Sequence, residues 1–155
     1  MVQYAPLRSG ERSGVALAAF GVIVTFLGVL LPWNGGSGHI SAYARYADES
    51  LTNQTFNGVA ASGGSWFGIL IVLCTLALAG SLYATVRSPG QRNRWLGPDG
   101  AVVFSIAALV IAVCSVLASP PSAASEFSRS YGVYVALIGC ILMAAGSVLW
   151  VWSAP

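Results

Sequence analysis

Among the side chains of this sequence that could carry acid–base chemistry, His39, Arg45, Asp48 and Glu49 gather in one short stretch. His39 is the only histidine in the chain, and a histidine is the side chain best suited to moving a proton near neutral pH. A lone loop histidine is far more often simply solvated, so no catalytic residue is assigned from it. The thiols are Cys74, Cys114 and Cys140, and all of them fall inside apolar runs. There they cannot brace an exposed loop, and their positions do not follow the spacing of metal ligands. They are read as small buried hydrophobes. One histidine cannot supply the two axial imidazoles of a b-type haem from a single chain. The sequence holds no glycine-rich phosphate loop, nucleophile elbow or zincin motif. The expectation is a protein that is not an enzyme, with no catalytic, cofactor or metal site.

The rest of the chain points to a bilayer. Of 155 residues, 56% are hydrophobic and 8% charged, with a mean hydropathy of +0.75. Soluble domains carry about a quarter charged residues, so most of this surface is not made for water. The length suits one domain, residues 1–155. Four apolar runs cover residues 14–31, 66–86, 101–118 and 132–152. At about 1.5 Å per residue each reaches roughly 27–31 Å, enough for the hydrocarbon core. They end at Pro32, at Arg87, at Ser119-Pro120-Pro121 and just short of the C-terminus. Their apolar residues are continuous rather than alternating, which excludes barrel strands. A cleaved leader over the first run is disfavoured, because Pro32-Trp33-Asn34 is no small-residue cleavage site.

The predicted fold class is therefore all-α, an antiparallel bundle of four transmembrane helices. Outer loops cover 32–65 and 119–131, and a cytoplasmic loop covers 87–100. Both termini are expected in the cytoplasm. Arg8, Arg12, Arg87, Arg92 and Arg94 fall on the tail and middle loop, against Arg45 and Arg129 on the other two loops. Trp33, Trp66, Tyr131 and Tyr134 would form an outer aromatic belt, and Tyr83, Trp95, Trp150 and Trp152 an inner one. All seven basic residues are arginine, a bias of GC-rich coding, so the expected location is a bacterial plasma (inner) membrane. A net charge of +2 is too small to imply nucleic acid.

No Asp, Glu, Arg, Lys or His lies within the four runs, which disfavours an ion pathway or proton relay built from this chain alone. Thr25, Thr75, Ser81, Ser105, Ser115 and Ser147 are expected to bond helix backbone or a neighbouring helix. The more informative pattern is glycine. Gly14, Gly21 and Gly28 recur every seven residues in the first run, and Gly132, Gly139 and Gly146 do so in the fourth. Ala18 and Thr25 interleave with the first set and Ala136 with the second, so each helix carries one small-residue face. In lipid such faces let backbones approach and supply the packing that hydrophobicity does not. These six glycines are the predicted helix-packing or partner interface. Their spacing leaves open whether they pack within the chain or between chains.

The first outer loop is the predicted recognition element. Asn34-Gly35-Gly36-Ser37-Gly38 and Ala60-Ala61-Ser62-Gly63-Gly64 read as flexible hinges. Between them Ile40, Tyr43, Ala47 and Leu51 fall at helical spacing opposite Arg45, Asp48 and Glu49. That fits a short amphipathic helix on the membrane surface or on a partner, with Ile40, Tyr43, Arg45 and Leu51 as contacts. Ser119 to Ser130 reads as a plain connector. This long outer loop and short inner loop resemble the topology of claudins and related tetraspan proteins. The loop has no cysteine and no Gly-Leu-Trp, both part of the claudin pattern, so no claudin residue or activity is carried over.

The expected function is a small accessory or scaffolding subunit of a larger membrane complex, with other integral membrane subunits and lipid as partners. The alternatives are a homo-oligomeric pore, and a membrane enzyme or lipid-binding protein using the first outer loop.

Overall fold

The computed structural model describes residues 9–36, 55–57, 66–87, 97–117, 127–129 and 131–153. Four long helices dominate it: α1 (Ser9–Leu30), α2 (Trp66–Arg87), α3 (Pro98–Leu117) and α4 (Tyr131–Ser153). Three short strands accompany them, β1 (Pro32–Gly36), β2 (Thr55–Asn57) and β3 (Phe127–Arg129). All four helices are long and apolar enough to cross a membrane. Buried residues form a single hydrophobic cluster running through all of them, including Ala18, Ile71, Leu78, Ala108, Ala136 and Met143.

Helix boundaries follow backbone chemistry rather than the edge of the apolar run. α1 begins at Ser9, five residues before the first apolar run, so Glu11 and Arg12 are helical rather than part of a tail. An acidic residue suits the first turn, where unsatisfied N–H groups carry partial positive charge. α3 likewise opens on Pro98 and Asp99, ahead of its apolar run, with a proline where a missing N–H is harmless. Glu11 precedes the first apolar run, which itself stays free of charge, yet the helix carries it into the buried face. It is 2% exposed because it lies three residues before Gly14, on the same helical face.

The small sheet is the main addition to the all-helical picture. β1 is its centre, in the order β2-β1-β3, with both neighbours antiparallel to it. Asn34, Gly35 and Gly36, read from sequence as a hinge, pair with Arg129, Ser128 and Phe127. The residues just before α4 are therefore more than a connector. Glycine weakens a strand, but the ladder uses backbone groups that Gly35 and Gly36 still supply, and Pro32 stands at the strand's first residue, where its missing N–H is tolerated. β1 follows α1 directly and β3 precedes α4, so the sheet continues beyond the helix ends the pairing that α1 and α4 make within them.

Candidate functional site

The buried positions of α1 are Glu11, Gly14, Ala18, Gly21, Thr25 and Gly28, with Val29 beside the last. They step by three and four, the seven-residue repeat that keeps one face toward a partner when helices wind left-handed around each other. On α4 the matching positions are Gly132, Ala136, Gly139, Met143, Gly146 and Trp150. The two faces meet within the chain, and α1 with α4 is the most extensive helix pair in the structure.

How close they come is shown by what a side chain at each glycine would strike. A Cβ on Gly14 would lie 2.6 Å from the Trp150 amide nitrogen, and one on Gly21 2.5 Å from that of Met143. On Gly28 it would lie 2.6 Å from the Ala136 Cα, on Gly139 2.8 Å from the Thr25 Cα, and on Gly146 2.8 Å from the Ala18 Cα. The obstacles are backbone atoms, so no rotamer change can relieve them. Contacts move backwards along α4 as they move forwards along α1, from Trp150 to Ala136, so these two helices run in opposite directions. At the far end a Cβ on Gly10 would lie 2.9 Å from the Ser153 Cβ, which brings the start of α1 against the end of α4.

A similar stripe runs along α3, where sequence reading had not placed one. Ala101, Ser105, Ala108, Ala112 and Ser115 are all buried at steps of four and three. Alanine and serine are commoner than glycine in apolar helices and so draw less notice, yet the step pattern alone would have found them. The neighbouring α2 is bulkier, burying Ile71, Thr75, Leu78 and Leu82 at the same periodicity. α3 packs against both α2 and α4, while α1 touches α2 more sparsely. Small buried residues on one helix and large ones on the next join a single hydrophobic cluster, as dense packing requires.

The hydroxyls of the spans are turned inward. Thr75 donates to the Ile71 carbonyl at 2.7 Å, Ser115 to Ala112 at 2.7 Å and Ser105 to Val102 at 3.0 Å, each within its own helix. Ser81 reaches across to the Gly97 carbonyl at 3.2 Å and ties α2 to the start of α3. The Thr25 hydroxyl lies 4.0 Å from the Cys140 sulfur, bridging α1 and α4. Among the described residues the fully buried Ser147 hydroxyl has no hydrogen-bond partner.

Two sets of residues stand elsewhere than their types suggested. Trp66 and Trp152 are 71% and 84% exposed, as belt residues should be, but Trp33 and Trp150 are both 2% exposed. The Trp33 indole donates to the Gly28 carbonyl at 2.8 Å, satisfying an acceptor that the end of α1 leaves free. Trp150 lies on the glycine face, with its own backbone against Gly14, and is buried with that face. The thiols divide as well. Cys140 is buried and Cys74 partly so, whereas Cys114 is exposed on the outside of α3 and fills no cavity.

The predicted recognition residues Ile40, Tyr43, Arg45 and Leu51 lie outside the described residues, as do His39, Asp48 and Glu49. Among the described residues no group of three or more histidine, cysteine or acidic side chains could hold a metal ion. What the helices present outward is large and apolar, including Phe20, Ile23 and Leu27 on α1 and Val103, Ile106 and Val110 on α3. Four such helices define a multi-pass membrane protein of the helical-bundle class. Comparison with protein families, with curated proteins and with solved structures finds no match to this chain.

Proposed function

We propose that this chain is a small, non-catalytic accessory or scaffolding subunit of a larger membrane assembly, such as a respiratory or oxidase complex, a transporter or a secretion system. In this reading it crosses a bacterial plasma membrane four times in antiparallel order, with both termini in the cytoplasm. The supporting observation is the closure of α1 on α4, backbone against backbone, which fills the glycine faces of both helices from within the chain. Partners then meet the outward apolar faces and the outer-loop residues Ile40, Tyr43, Arg45 and Leu51. The inward position of the Thr75, Ser105 and Ser115 hydroxyls counts against a multimeric pore, which would need such groups on outer faces. The arginine distribution supports the orientation.

Extraction in a gentle detergent followed by mass spectrometry of what co-purifies tests the role. Larger integral membrane proteins in fixed ratio are the expected result. A ring of this chain alone would replace the proposal with a homo-oligomeric pore, and a lone monomer holding lipid would replace it with a lipid-binding protein or enzyme of the outer loop. Orientation is tested separately by single cysteines labelled with an impermeant reagent. Positions Ser37 and Ser122 should react from outside and Ser88 only after the membrane is opened. External labelling at Ser88 would reverse the topology.

A further inference from the structure

We draw no further inference here: the strongest candidate, the shallow notch on the outer face of α2 where Gly80 and Ala84 lie exposed beside Leu76 and Tyr83, carries nothing because nothing in the structure shows what covers it.

Discussion

Gly139 of α4 and Gly80 of α2 are the same residue in equally apolar helices, and their surroundings could hardly differ more. A Cβ on Gly139 would run into the backbone of Thr25, whereas one on Gly80 would find nothing within 4 Å. The same contrast separates the helices that hold them. Of the α4 span, 44% is buried, against 28% of α2. Glycine therefore has no fixed meaning in a membrane helix. It marks a contact where it repeats in step with a partner's backbone, and it is only a gap in the side-chain layer where it stands alone. The α1–α4 pair is held by such repeats at both faces, while α2 adds the larger Ile71, Leu78 and Leu82 to the shared core.

Substitutions at the two kinds of glycine should give the largest difference. Gly21→Leu or Gly139→Leu forces a side chain into space already filled by backbone, and a loss at or above the upper end of about 1–3 kcal/mol is expected. Thermal unfolding of the purified protein in detergent would show it as a large drop in midpoint or as failure to recover a compact monomer. Gly80→Ala should be neutral or stabilising by up to about 1 kcal/mol, because alanine is the better helix former and has room. Ile23 and Ile141, both exposed, serve as outer-face controls when changed to leucine. Equal loss at Gly21, Gly80 and Ile141 would mean that the close α1–α4 approach does not exist in the protein.

A smaller effect should separate the tryptophans. Trp33→Phe removes the indole bond to the Gly28 carbonyl and leaves that acceptor buried without it, a loss of about 1–3 kcal/mol. Trp66→Phe, at an exposed position, should change stability by less than about 0.5 kcal/mol. If the two variants unfold at the same temperature, Trp33 belongs to the membrane interface after all and the cap on α1 is wrong.

The least effect is expected at the buried hydroxyls and thiols, where the contrast is one of sign and reactivity. Ser81→Ala loses the bond to Gly97 and should cost about 1 kcal/mol. Ser147→Ala removes a hydroxyl with no partner among the described residues and should be neutral or slightly stabilising. A membrane-permeant maleimide should modify Cys114 well before Cys140, which is fully buried. Faster reaction at Cys140 would contradict the packing of α4.

How much of this was legible in advance depends on which chemistry each feature answers to. The four spans were plain because a bilayer admits only helices and closed barrels, and long, continuous apolar runs fit the first and not the second. The glycine faces of α1 and α4 were visible for a related reason, since a seven-residue repeat of the smallest side chain is a strong departure from random order. The α3 stripe escaped notice because alanine and serine carry the same step with less contrast. Burial of Glu11 and Trp150 was not legible from residue type, which points glutamate to water and tryptophan to the interface. Their register on the α1–α4 face overrode that preference.

By itself, then, the sequence determined that the chain forms four apolar helices and that two of them carry small-residue faces. Both are local properties, set by hydrophobic length and by spacing along one helix. Tertiary structure alone decided that those two faces meet each other within the chain and that Asn34 to Gly36 form a central strand rather than a hinge. It also decided which tryptophans leave the surface. The strand and the helix pair depend on what lies opposite, on backbone distant in sequence, such as Trp150 against Gly14 and Arg129 against Asn34. A side-chain pattern records that a helix has a face for close approach, and only the arrangement of the other helices says what fills it.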